Sequence, residues 1–156
     1  MSVEQQQETP ETCARQHWMG VLAKSSVAAL QQRWQALSLE PEYQFIRKPE
    51  TGLAMLRGRV GGSGQPFNMG EMTLTRCAVR LASGTLGVSY VSGRNSQHAV
   101  TAALADALLQ ERSTQSLLQR ELIEPLQDEL EAERQQRAAQ ANSTRVDFFT
   151  LVRGED

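Results

Sequence analysis

Five arginines, one histidine and one glycine-rich loop are the parts of this sequence best suited to handling an anion. Arg57 and Arg59 alternate along one stretch, and Arg76 and Arg80 share a parity along another. On β-strands those spacings put each pair on one face. A guanidinium stays charged and offers a fork of N–H donors, so arginines on one sheet surface can clamp phosphate or carboxylate oxygens. If the two strands pair in the right register, all four line a single surface. A solvated or partner-facing sheet surface is the plainer reading, because single charges are usually just surface. Further along, Gly93-Arg94 precedes a helix that carries His98 near its start. A helix N-terminus, a guanidinium and an imidazole together would bind an anion. The alternative is an ordinary loop with a histidine packed at the helix start. Arg76, Arg80, Arg94 and His98 are therefore the candidate anion-binding set. Gly61-Gly62-Ser63-Gly64 could aim backbone amides at a phosphate. It lacks the Gly-Lys-Ser/Thr of a P-loop and reads as a turn between strands.

Other chemistry is poorly served. Cys13 and Cys77 are the two cysteines, and neither belongs to a Cys-x-x-Cys pair. With His17 and His98 the only histidines, this chain alone is not expected to hold zinc, an iron–sulfur cluster or any other cofactor. No Ser/His/Asp or paired-carboxylate constellation stands out, so no catalytic residue is assigned. The 156 residues carry 16 Lys+Arg against 18 Asp+Glu, a net charge of −2, with 5% aromatics. That balance disfavours a nucleic-acid binder, which needs basic patches or stacking platforms. The first eleven residues are polar and lack the basic start and apolar stretch of a leader. No apolar run approaches the roughly 20 residues that span a bilayer. The expected location is the cytoplasm, with no membrane partner and both thiols reduced.

The elements that must position these groups follow from periodicity. Residues 1–11 read as a disordered lead-in. Thr12 is a candidate cap for a helix to about Ala23, with Trp18, Val21 and Leu22 on its apolar side. Ser25 or Ser26 starts a second helix, ended by Pro41. The period then changes to two. Strands are predicted at 43–48, 53–60, 71–82 and 85–92, with a turn at Pro49–Gly52. Short connections make them an antiparallel meander. Ser83-Gly84 reads as a two-residue hairpin turn, which sets Leu81 opposite Leu86, Val79 opposite Val88 and Cys77 opposite Tyr90 on a core face. A bulge near Thr75 would reconcile Met72 and Leu74, which lie on the other parity. Asn95 or Ser96 opens a helix to about Leu109, and Ser113 or Thr114 another, interrupted or restarted at Pro125.

The expected fold is α+β: a four-stranded antiparallel sheet flanked by N-terminal and C-terminal helices. Residues 12–126 form the domain. Residues 127–156 are a polar helix and an apolar tail with Val146, Phe148, Phe149, Leu151 and Val152. Adjacent phenylalanines near a chain end call for cover, so the tail either folds back or docks on another chain.

Certain segments in order carry a family resemblance. They are Arg15-Gln16-His17-Trp18-Met19, Glu50-Thr51-Gly52-Leu53, Thr73-Leu74-Thr75-Arg76 and Ala78-Val79-Arg80-Leu81, followed by Gly84-Thr85-Leu86-Gly87. Gly93-Arg94 with His98-Ala99 and the terminal Val146-Asp147-Phe148-Phe149-Thr150 complete the series. Over roughly residues 15–154 the chain resembles the PhnG family, small subunits of the bacterial carbon–phosphorus lyase core complex. The resemblance implies phosphonate catabolism in a two-fold assembly with H, I and J subunits, the I subunit being the nucleosidase-like catalyst and the most direct partner. With an ABC-type L subunit, the G, H and I chains would convert ATP and methylphosphonate into alpha-D-ribose 1-methylphosphonate 5-triphosphate and adenine. The J subunit would supply the later iron–sulfur radical step. The family has no established catalytic residues in this subunit to carry over. The resemblance therefore implies either a structural, activating chain or one that lends anion-binding residues to a shared site.

Overall fold

The computed structural model describes residues 9–143; the docking tail at 146–152 and residues 1–8 lie outside the described residues. The architecture is α+β. Helices α1 (Pro10–Lys24) and α2 (Val27–Ala36) lead into strands β1 (Tyr43–Arg59), β2 (Pro66–Leu81) and β3 (Leu86–Ser92). Helices α3 (Ser96–Leu109), α4 (Arg112–Leu118) and α5 (Glu124–Ser143) follow. The sheet is antiparallel in the order β1-β2-β3.

Among the described residues, three strands stand where four were expected. The two segments at 43–48 and 53–60 belong to one long strand, and Pro49–Gly52 runs through it instead of turning. Proline survives because β1 is an edge strand, where a missing N–H need not cost a ladder bond. Register steps between Phe45 and Arg47 and between Arg47 and Glu50 each set an extra β1 residue against β2. These bulges absorb the irregular sequence and bend the strand. No bulge occurs at Thr75, which pairs in continuous register with Thr51 and Val91. Met72 and Leu74 simply lie on the outer face.

The hairpin register also differs from the expected one. Leu81 N–H donates to Thr85 O at 2.9 Å, and Gly84 N–H to Leu81 O at 2.9 Å. The loop is thus three residues, Ala82 to Gly84, closed by Gly84 at φ 94°. That left-handed position suits glycine and a three-residue loop. One added residue moves β3 by one position. Val79 pairs with Gly87, Cys77 with Ser89 and Arg76 with Tyr90. Cys77, Val79 and Leu81 face the core as expected. Leu86 and Tyr90, expected to face them, point outward at 46% and 57% exposure, while Gly87, Ser89 and Val91 turn inward.

Helix α3 explains that choice. It is rich in alanine and buried along almost its whole length, from His98 to Leu109. Only a buried element tolerates apolar residues all round. On one side α3 meets the sheet, and on the other α1, α2 and α4. A Cβ on Gly87 would sit 2.0 Å from Ala103 O and 2.8 Å from Ala107 Cβ, so the helix backbone rests directly on β3. The outer helices close the core with Leu22, Leu30, Leu118, Leu122, Ile123 and Leu126.

Helix starts follow local chemistry, with two departures. Ser26 caps α2 and Asn95 caps α3, each side chain accepting an N–H three residues on. Helix α1 begins earlier than Thr12: Thr9 is the cap and Pro10 occupies the first turn, where its missing N–H is harmless. Helix α4 starts after Glu111 rather than at Ser113 or Thr114; Thr114 Oγ1 instead donates to Leu108 O at 2.6 Å. Pro125 neither breaks nor restarts the chain direction. A π-helical turn, Gln119–Ile123, widens the backbone just before it and carries α4 into α5. Such a turn takes up the ring and the absent donor. Leu126 anchors the start of α5, and residues 131–143 are exposed throughout.

Candidate functional site

The outer sheet face gathers polar and apolar groups in rows set by the strand pairing. Glu50, Arg76 and Tyr90 form one row; Gln44, Arg80 and Leu86 form another. Arg47 Nη1 donates to Glu50 Oε1 at 2.6 Å, and Arg76 Nε donates to the same oxygen at 2.5 Å. The Arg47 hydrogen bond first, and that of Arg76 next, hold the Glu50 carboxyl below its usual range. Two guanidiniums share one carboxylate, so the group keeps a net positive charge. All three side chains are about half exposed.

Arg80 lies four residues from Arg76, about 13 Å along the strand. It borders an open recess of about 340 Å³ with Glu42, Tyr43, Gln44 and Gly84. Arg94 is exposed in the turn after β3, where Gly93 N–H donates to Thr73 O. His98 is buried at 4% exposure, with Nε2 2.8 Å from Leu22 O of α1 and its backbone N–H on Asn95 Oδ1. A nitrogen bound to a carbonyl oxygen must carry the hydrogen. The imidazole is thus engaged as a tie between α3 and α1.

Arg57 and Arg59 do not join Arg76 and Arg80. They pair with Asn68 and Pro66 near the hairpin tip, roughly 23–30 Å along the ribbon from Glu50. Arg59 Nη1 donates to Gly64 O at 3.3 Å, bracing the glycine-rich loop, which begins in a short 3-10 turn, Val60–Gly62. Cys77 is buried with Sγ 3.5 Å from Arg47 O, and burial pushes its thiol pKa up. A protonated thiol is a poor nucleophile. Among the described residues no group of three or more His, Cys, Asp or Glu is arranged to hold a metal ion. None of the described helices is long and apolar enough to cross a membrane.

The most highly engaged ionisable group is one that spacing arguments pass over. Asp106 is fully buried in the middle of α3. Arg15 Nε donates to Oδ1 at 3.1 Å and Arg15 Nη2 to Oδ2 at 2.7 Å. Trp18 Nε1 donates to Oδ1 at 2.9 Å, and the Val88 N–H to Oδ2 at 2.9 Å. One carboxylate thus joins α1, α3 and β3. It also blunts a sheet edge: Val88 N–H and Leu86 C=O belong to edge strand β3, and Gln110 Nε2 donates to that carbonyl at 2.8 Å. The sequence signal was available, since Asp106 is the only acidic residue between Gly93 and Glu111. A lone charge in an apolar helix needs a partner when buried.

A second feature was hidden by the four-strand reading. β3 ends at Ser92, opposite Leu74, whereas β1 and β2 continue together to Arg59 and Pro66. Their far halves form a two-stranded ribbon beyond the body of the sheet.

Known proteins place this scaffold. Residues 13–154 match the family model described as phosphonate metabolism protein PhnG. A relative from Rhizobium meliloti (strain 1021) is 42% identical over 142 residues, covering 91% of this chain and 90% of the relative. It is named alpha-D-ribose 1-methylphosphonate 5-triphosphate synthase subunit PhnG.

Proposed function

Because the chain belongs to the PhnG family of phosphonate metabolism proteins, we propose that it is a subunit of a carbon–phosphorus lyase complex working in organic phosphonate catabolism in the cytoplasm. The complex would make alpha-D-ribose 1-methylphosphonate 5-triphosphate and adenine from ATP and methylphosphonate. H, I and J subunits are the proposed partners, with the I subunit in most direct contact and an ABC-type L subunit joining for the transferase step. The observation that carries this reading is the near full-length match to a named synthase subunit, at 42% identity over 91% of the chain.

Within that assembly the chain acts as a structural and activating subunit. Its buried polar groups are spent on joining elements: Asp106 and His98 tie helices and strand together. The outward arginines compensate carboxylates or border open recesses. Residues 9–126 supply the folded body, and the apolar side chains Val146, Phe148, Phe149, Leu151 and Val152 dock on a neighbouring subunit.

A second reading rests on the net positive Arg47–Glu50–Arg76 group. Arg76, Arg80 and Arg94 would then lend guanidiniums to phosphonate or triphosphate oxygens in a site shared between chains, without His98, whose imidazole is held by the Leu22 carbonyl. Assembly and turnover of the reconstituted synthase separate the two. Arg76→Ala, Arg80→Ala and Arg94→Ala should each leave assembly intact and turnover within about threefold of wild type if the role is structural. A loss of turnover beyond about a hundredfold in a fully assembled complex, the size of one lost transition-state donor, would favour the shared site.

A further inference from the structure

The β1–β2 ribbon poses a physical problem that the described residues do not solve. From Leu53 paired with Thr73 to Arg59 paired with Pro66, two strands run roughly 20 Å without a third among the described residues. Two strands alone are marginal in water. This pair is apolar on both sides. Leu53 and Met55 are 66% and 54% exposed on the face continuous with the core side of the sheet. Leu56, Phe67 and Met69 are 42%, 45% and 64% exposed on the other. Gly58 is the saddle of that second face: a Cβ there would lie 2.4 Å from Met69 Sδ and 3.6 Å from Phe67 Cε1. Val60 at the tip is 67% exposed.

We propose that this ribbon is an insertion arm that seats in an apolar cleft, rimmed by carboxylates, on a different subunit of the complex. A flat partner would cover one face and leave the other wet, so the seat is a cleft. Contiguous exposed apolar surface of this kind marks an interaction site. The charge of the rim follows from Arg57 and Arg59, which stand near the tip, form no ion pair among the described residues and outnumber Glu71, the carboxylate opposite Met55 on the same ribbon. A second copy of this chain is a poor host. Its own wide groove, about 1050 Å³ between α1 and α5, has Val21, Met72, Tyr90 and Leu130 on its lining, but Lys24, Arg134 and Arg137 stand there beside Glu131 and Glu133 and would repel Arg57 and Arg59. Arm-to-arm packing would still leave one face of each ribbon exposed. The proposal rests on the chain being a synthase subunit.

Two variants of the full chain test it, co-expressed with the other synthase subunits and sized by chromatography with light scattering. Met55→Asp with Met69→Asp puts a charge on each face, and Arg57→Glu with Arg59→Glu reverses the tip. The wild type should enter the complex. The aspartate variant should bind at least tenfold more weakly while keeping the far-UV spectrum and melting temperature of the isolated chain. The glutamate variant, at exposed sites outside the core, should bind more weakly by a margin that shrinks as salt rises. If both variants assemble as the wild type does, the arm is not the contact and the subunit reading stands. A lone-chain dimer abolished by the same substitutions would identify a second copy as the host and overturn the proposal. If the wild type itself joins no synthase subunit, the proposed function falls and the arm proposal with it.

Discussion

Asp106 carries more of this fold than any arginine that attracts notice in the sequence. A carboxylate enters an apolar helix only where donors replace the water it loses. Here Arg15, Trp18 and the Val88 N–H supply four close contacts. Asp106→Ala should therefore cost about 2–4 kcal/mol, because it strands a buried indole N–H and a strand-edge N–H at once. Urea unfolding of the two proteins measures the difference, and a loss under about 0.5 kcal/mol would show that the network is dispensable. The exposed Arg76–Glu50 pair is worth far less, since solvent screens it. Acid weakens that pair in a defined direction. The Glu50 carboxyl lies below its ordinary value in the folded chain. Its small contribution is present above the unfolded carboxylate range and disappears as pH falls through the folded value.

At the scale of elements, one loop residue decides which side chains of β3 meet the core. A two-residue turn would bury Leu86, Val88 and Tyr90. The observed three-residue loop instead buries Gly87, Ser89 and Val91. The smaller set wins because α3 presses its backbone against the strand, and Ser89 Oγ donates to Ala99 O at 2.6 Å across that contact. Gly87→Ala should consequently cost about 1–3 kcal/mol or more, as overpacking against rigid backbone does. Gly52→Ala, with nothing within 4 Å of the added methyl, should be within about 0.5 kcal/mol of wild type. Thermal melts of the pair check both; equal melting temperatures would mean that α3 shifts freely. The same scale explains the missing fourth strand. Pro49 and Gly52 carry turn chemistry in isolation, yet an edge strand with two bulges holds them in line.

For the whole molecule, the balance of covered and uncovered apolar surface points outward. The helical side is closed around α3, while the outer sheet face shows Leu86 and Tyr90 and the ribbon with its tip shows six more large apolar side chains. A protein built this way is completed by its neighbours, in keeping with obligate interfaces that resemble a divided core. The terminal phenylalanines extend the same expectation. Phe148→Ala with Phe149→Ala should reduce co-purification with the other synthase subunits at least tenfold while leaving the melting of residues in the folded body unchanged. Full co-purification of that variant would remove the tail from the docking surface.

Sequence alone determined the α+β class, the inward parity of Cys77, Val79 and Leu81, and the family, and it narrowed the caps of α2 and α3 to Ser25 or Ser26 and to Asn95 or Ser96. Those features are local or written in ordered segments: a cap is a side chain reaching three residues along, and a strand parity repeats every second residue. Tertiary structure decided the rest. The register of β3 depended on how closely α3 could approach, which no hairpin rule contains. The separation of Arg57 and Arg59 from Arg76 and Arg80 followed from strands being longer than their patterns suggested. His98 turned from a candidate ligand into a core tie because α1 presented the Leu22 carbonyl to it. Asp106 acquired its role only when Arg15, Trp18 and Val88, distant in sequence, converged on it. Each of these outcomes depends on long-range packing, where the partner of a group is chosen by space and not by spacing.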